Sequence, residues 1–221
     1  MTLRLNGSTS GYTEIDAPAV AGSNTLVLPT GNGTARQTMM TDGAGALSFA
    51  NDAGALYYRL NADLVGANVT TAQSVFGVGV TLAASTVYQF DLHVLLTKTA
   101  GATSHTVSFG FGGTATLNNI IYGGAANWSG ATYANGIIST PQSFDSTTAA
   151  AVVASSAIAN AGSSWRGYFR GTVSINAGGT FIPQYTLSAA PGGAYSTVAG
   201  SYIRFVPIGA AGSNSSQGTW S

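Results

Sequence analysis

Residues 87–96, VYQFDLHVLL, constrain the fold more than any other stretch of this chain. Their strict alternation puts Tyr88, Phe90, Leu92, Val94 and Leu96 on one apolar face. Val87, Gln89, Asp91, His93 and Leu95 fall on the other. That pattern is a β-strand with one buried side. Similar short runs follow at residues 75–82, 105–111, 117–122, 165–175, 181–188 and 201–208, separated by Gly, Asn, Ser and Thr. Residues 176–179 and 190–193 read as turns. Pro183 cannot donate to a ladder, which assigns it to an edge or a bulge. The best helical candidate, residues 147–159, lacks a charged face and carries Val152 and Val153 at its middle. The expected fold class is therefore all-β, a sandwich or barrel.

Composition narrows the setting. Apolar residues make up 45% of the 221, enough for a sizeable core, while charged residues make up only 6%, against roughly 25% in ordinary soluble domains. The formal net charge is zero, which favours association. Ten per cent aromatics and strand patterns throughout argue against disorder. With no cysteine, disulfides and thiolate chemistry are excluded within the chain. No basic region followed by an apolar stretch opens the sequence, so no signal peptide is expected. No run approaches the roughly 20 apolar residues of a membrane span. The sequons at Asn6, Asn68 and Asn127 are expected by chance in a chain this rich in Ser and Thr. The seven basic residues, Arg4, Arg36, Arg59, Lys98, Arg166, Arg170 and Arg204, are scattered singly, which disfavours nucleic acid as a partner.

Three regions differ in texture. Residues 1–50 hold short β pieces too brief to bury a core alone, and Leu3, Leu5, Tyr12, Ile15, Leu26 and Leu28 are the candidates for contact with a partner. Residues 51–208 carry the main sandwich. Residues 209–221 read as a flexible tail in which Trp220 is a candidate anchor.

Candidate chemistry is sparse. Asp91 and His93 share a strand face, where a carboxylate orienting a histidine suits general-base chemistry or metal binding, with His105 as a candidate second ligand. The plainer reading is a polar solvent face. Glu14 and Asp16 are close enough in sequence to suggest a glycosidase pair, but docking better suits their place on the arm. Asp42, Asp52 and Asp63 fall at turns or strand ends. No serine-nucleophile elbow or phosphate loop is present, and residues 77–79 lie inside a strand pattern. Tyr122, Trp128 and Tyr133 flank or lie in a Gly-rich, loop-like region at 123–136. They either stack on a sugar or fill the core or a subunit interface. No cofactor and no enzymatic activity are expected.

Two stretches resemble a known group of proteins. Residues 3–12, with Ala17, Pro18, Ala19 and residues 22–29, resemble an arm found in structural proteins of cyanophages and marine phages. Residues 166–173, with 178–181 and 183–185, resemble trimeric phage modules of jelly-roll type, similar in architecture to tumour-necrosis-factor and C1q-like heads. Residues 200–205 continue that pattern. The resemblance implies a homotrimer in the virion, with a jelly-roll-like β-sandwich and an extended N-terminal β arm, assembled in the host cytoplasm. Its implied role is a capsid decoration (cement) protein whose partner is the major capsid protein or another virion protein. The alternative is the receptor-binding tip of a tail or head fibre contacting a host surface glycan. Neither reading involves nucleic acid or membrane.

Overall fold

The computed structural model describes residues 3–20, 22–33, 37–41, 44–51, 54–130, 141–212 and 214. The chain divides into two compact units, Met1–Gly54 and Ala55–Ser221. Among the described residues there is no α-helix and every named element is a strand. The expected all-β class holds.

The first unit contains β1 (Leu3–Asn6), β2 (Tyr12–Ile15), β3 (Gln37–Thr41) and β4 (Leu47–Asn51). They form two separate antiparallel hairpins, β1–β2 and β3–β4. A parallel bridge joins Val27 to Ala46. Almost all of its described side chains are exposed, as expected of two-stranded pieces with nothing to cover them.

The second unit is a two-sheet β-sandwich. Its strands are β5 (Leu56–Arg59), β6 (Leu64–Val65), β7 (Gln73–Ser74), β8 (Val80–Leu82), β9 (Thr86–Lys98), β10 (Val107–Gly112), β11 (Thr116–Ser129), β12 (Pro141–Ser146), β13 (Val152–Val153), β14 (Ser163–Ala177), β15 (Gly179–Leu187), β16 (Ser196–Thr197) and β17 (Tyr202–Ala210). The larger sheet runs β12-β11-β14-β9. The far edge of β9 is shared: β17 pairs with its first part and β16 with its last, and β5 and β6 lie outside them. The smaller sheet runs β13-β10-β15, and β7 and β8 share the far edge of β15.

The period of two read from residues 87–96 holds except at Leu95, which belongs to the outer row yet is buried. Tyr88, Phe90, Leu92, Val94 and Leu96 are buried, and Gln89, Asp91 and His93 face outward. Inward aromatics from the two sheets meet between them. Phe109 of β10 stacks on Phe169 of β14 with ring centroids 4.6 Å apart, and Phe90 of β9 meets Phe111 of β10 edge-on at 5.3 Å. Trp165 is fully buried and donates its indole N–H to the Ala154 carbonyl at 2.9 Å, so its polar group is satisfied inside the core.

Several sequence expectations change. The run at 75–82 is not one strand: β7 and β8 are separated at Gly77, whose φ of 71° a side chain would disfavour. Pro183 lies opposite this break, between the pairings of β15 with β7 and with β8, so its missing N–H costs no ladder bond. Residues 123–129 are not a loop but the second half of β11. The small residues there allow close strand approach: a Cβ on Gly124 would lie 1.8 Å from the Tyr168 carbonyl oxygen. At residues 147–159 the expectation stands: there is no helix, and Val152 and Val153 pair with Phe109 and Ser108 as β13. The tail starts later than residue 209, since Gly209 and Ala210 still pair with Val87 and Thr86. Trp220 and most of that tail lie outside the described residues.

Replacing Phe109 with Ala removes the ring that touches Phe111, Tyr122, Trp165 and Phe169. Denaturant unfolding of the variant is expected to show a loss of about 3–5 kcal/mol. Tyr168→Ala, on the outer face, is expected to cost under about 1.5 kcal/mol in the same assay.

Candidate functional site

The proposed arm contacts are placed plainly. Leu3, Leu5, Tyr12, Ile15, Leu26 and Leu28 are all 55–70% exposed. In the β1–β2 hairpin, Leu3 pairs with Ile15 and Leu5 with Thr13, so Leu3, Leu5 and Ile15 share one apolar face. The other face is polar. Arg4 forms an ion pair with Glu14 directly opposite, and its guanidinium lies 4.1 Å from the centre of the Tyr12 ring. Tyr12 is thus on the polar side rather than with the leucines. Asp16 accepts a hydrogen bond from the Ala17 N–H at 3.0 Å. Glu14 and Asp16 therefore have local partners and do not face one another across a cleft.

The sugar-stacking candidates fare differently. Tyr122 points into the core of the second unit, 2% exposed, against Phe90, Phe111 and Phe144. Its β11 position alternates it inward, so no ligand reaches it. Trp128 is on the same inward face, paired with Trp165 and half-buried against the core. Tyr133 lies outside the described residues, as do Asp42 and Asp52.

Asp91, His93 and His105 do not converge. Asp91 accepts a hydrogen bond from Arg170 Nε at 2.9 Å. The His93 ring stacks on Tyr168, 4.2 Å away and within 6° of parallel. Burial, reinforced by the nearby Arg166 charge, holds its pKa below the usual histidine value. His105 is buried elsewhere, bridged to Ile158 outside the named strands. Its Nδ1 is 2.8 Å from the Thr103 carbonyl and its Nε2 is 2.9 Å from the Tyr195 hydroxyl. A carbonyl only accepts, so Nδ1 carries the proton and Nε2 accepts from Tyr195. Ser163 then donates to the Tyr195 oxygen at 3.1 Å. Burial pushes Tyr195 up to about 12 and lowers His105. Among the described residues no group of three His, Cys, Asp or Glu side chains is placed to hold a metal.

Lys98 closes this interior cluster. It is 2% exposed and donates to the carbonyls of Ala100, Gly101, Asn160 and Ala161, which ties two loops to the end of β9. This explains why a lysine ends an otherwise apolar inward row.

The sequence reading missed the outer face of the larger sheet. Strand register there aligns two rows of side chains. One runs Asp145, Gly123, Arg170, Asp91, Arg204, Tyr57 and the other Ser143, Ala125, Tyr168, His93, Tyr202, Arg59. Tyr202 meets His93 edge-on at 5.9 Å and lies tilted against Tyr57 at 6.1 Å. Arg166 stands on the same face two residues before Tyr168. Four of the seven basic residues, scattered in sequence, are therefore gathered here. This removes the premise, that basic residues occur only singly, on which nucleic acid was disfavoured. The signal available in the sequence was the alternation of residues 164–170 with that of 87–96.

No family model matches the chain, and no curated protein matches it. Among solved structures, a chain in "Structure of infectious bursal disease virus Gt strain" is similar over 91% of this chain and 48% of that one, at 10% identity and a TM-score of 0.17. This chain therefore spans about half the length of that one, and a likeness at that score carries no argument.

The two lowered histidines set a pH dependence. Well above 6.5 both are neutral folded or unfolded and contribute no slope. Below it the unfolded chain takes up protons before the folded one, so stability falls with pH. Unfolding midpoints measured from pH 7.5 down to 5 are expected to decline below 6.5, and His105→Gln is expected to flatten part of that slope.

Proposed function

We propose that this chain is a structural subunit of a bacteriophage particle, a homotrimeric capsid decoration protein located in the virion. The jelly-roll reading of the sandwich and the three-fold assembly belong to this proposal. The observation that carries it is the exposed apolar side of the β1–β2 hairpin, Leu3, Leu5 and Ile15, together with Leu26 and Leu28. The second unit encloses a core of its own, whereas the first leaves its large apolar side chains open. Such a segment gains stability by lying on a partner, and the major capsid protein or another virion protein is the partner proposed. These side chains are already partly covered, so hiding the remainder of each contributes about 1–2 kcal/mol before the entropy cost of association. Three arms on one trimer multiply the attachment through effective concentration, and cyclic closure stops assembly at three. The role is mechanical: the arms staple neighbouring capsomers. The low overall charge supports a chain that works against other protein surfaces.

The test uses purified capsids lacking this protein. Full-length chain is expected to co-sediment with them, whereas a chain of residues 55–221 and the full-length double variant Leu3→Asp/Ile15→Asp are expected to stay in the supernatant. Light scattering is expected to report a trimer for all three. Unchanged attachment of the truncated chain would rule the proposal out.

A further inference from the structure

Residues 55–221 carry eight charged side chains, and their distribution is one-sided. Lys98 is inside, and Asp63 accepts a hydrogen bond from the Ala199 N–H. The other six, Arg59, Asp91, Asp145, Arg166, Arg170 and Arg204, stand on the outer face of the larger sheet. Tyr57, Ile121 and Tyr168 share that face, 60%, 59% and 45% exposed, together with Tyr202 and His93. The outward positions of the smaller sheet are Ser108, Gly110 and Gly112 on β10 and Thr180, Ile182, Gln184 and Thr186 on β15, with neither a charge nor an aromatic ring. Tyrosine and arginine are enriched where proteins meet. The charges on the larger sheet are also ordered across it. In the middle Asp91 and Arg170 neutralise one another, and Arg166 has a partner within its own chain. Towards one edge Asp145 of β12 is exposed, its carboxylate over Gly123. Towards the other, four strand steps away in the same row, Arg204 of β17 is exposed. Among the described residues neither forms an ion pair. The face thus has an acidic edge and a basic one.

We propose that this face is the contact between copies of the chain, the basic edge of one copy lying against the acidic edge of the next so that Arg204 meets Asp145 of its neighbour. The contact rests on the three-fold assembly proposed above and needs no place in a virus particle. A head-to-tail contact that closes into a ring uses two different, complementary edges of each copy, and the row from Asp145 to Arg204 supplies them. The dimensions agree. Six strands, β12-β11-β14-β9-β17-β5, about 4.8 Å apart make the face about 24 Å across. Three such faces closed edge to edge leave about 7 Å between each sheet and the axis, a distance that tyrosine side chains fill. Tyr168, near the middle of the width and held flat against His93, stands there. It is uncharged, as is required where identical residues converge on an axis. Arg170, at the next level of β14, brings its own Asp91. With β14 running 15 residues, about 50 Å, the face exceeds the roughly 800 Å² that each partner of a stable complex covers. In the dilute monomer the same face is open to solvent.

Light scattering of the full chain over a dilution series tests this, with near-ultraviolet circular dichroism to show that each variant is folded. The parent chain is expected to be a trimer that dissociates on dilution. Tyr168→Asp, which sets three carboxylates at the axis, is expected to be monomeric. Arg204→Asp is expected to raise the midpoint concentration of assembly at least about tenfold, because two carboxylates then face each other. The charge swap Arg204→Asp/Asp145→Arg is expected to return it to within about threefold of the parent, a rescue that only direct pairing of the two positions gives. Thr81→Asp, exposed on β8 at the smaller sheet, is expected to leave assembly unchanged. If the parent is a trimer and folded Tyr168→Asp and Arg204→Asp assemble as well as it does, the proposal is overturned while the three-fold assembly stands. A charge swap that assembles no better than Arg204→Asp overturns the pairing of the two edges. Loss of assembly in Thr81→Asp alone moves the contact to the smaller sheet and equally overturns the proposal. A parent chain that is monomeric throughout overturns both this contact and the three-fold assembly.

Discussion

Phe109 of the smaller sheet lies against Phe169 and Trp165 of the larger one, and the arrangement of the second unit follows from that contact. Once those two β14 residues turn inward, the two-residue period of the strand sends Arg166, Tyr168 and Arg170 outward. The register of β14 on β9 then sets Tyr168 beside His93 and Arg170 beside Asp91. A one-residue slip would bury arginine and expose tryptophan, so the aromatic core holds the outer face in place. The interior polar groups fit the same scheme: Lys98, His105 and Tyr195 are each supplied with partners where the inward rows run out of apolar residues.

Local periodicity was legible where one strand face is apolar and the other polar. Residues 87–96 told their inside from their outside at every position but Leu95, and the turn after Ala177 stood out from its glycines. Three kinds of information were not legible. Small residues hide a strand when its neighbours supply the bulk, as at Gly123, Gly124, Ala125 and Ala126, which look like a loop and pair on both edges. A single positive φ divides a run that alternates perfectly, as at Gly77. Most of all, register between distant segments has no local trace. Arg59, Arg166 and Arg204 are isolated in sequence and stand on one face only because β5, β17, β9 and β14 are adjacent in the sheet.

The same limit accounts for the candidate sites. Tyr122 was singled out for its glycine-rich surroundings, yet those glycines make room for neighbouring strands and leave the ring in the core. Asp91 and His93 were noticed for their chemistry in isolation, and both have structural partners across the sheet. The arm's large apolar residues are exposed because hairpins with strands of four or five residues have no means to cover them. The two units thus differ in kind. The first exposes apolar side chains from short hairpins, and the second encloses its apolar residues and displays arginine and tyrosine.

Hydroxyl-radical footprinting of the tyrosines, read by mass spectrometry on the dilute full-length chain, tests most directly the division between an enclosed core and an open outer face. Tyr57 and Tyr168 are expected to oxidise rapidly, and Tyr122, Tyr185 and Tyr195 to stay protected until the chain unfolds. Rapid oxidation of Tyr122, or protection of Tyr168 to the level of Tyr185, would contradict it.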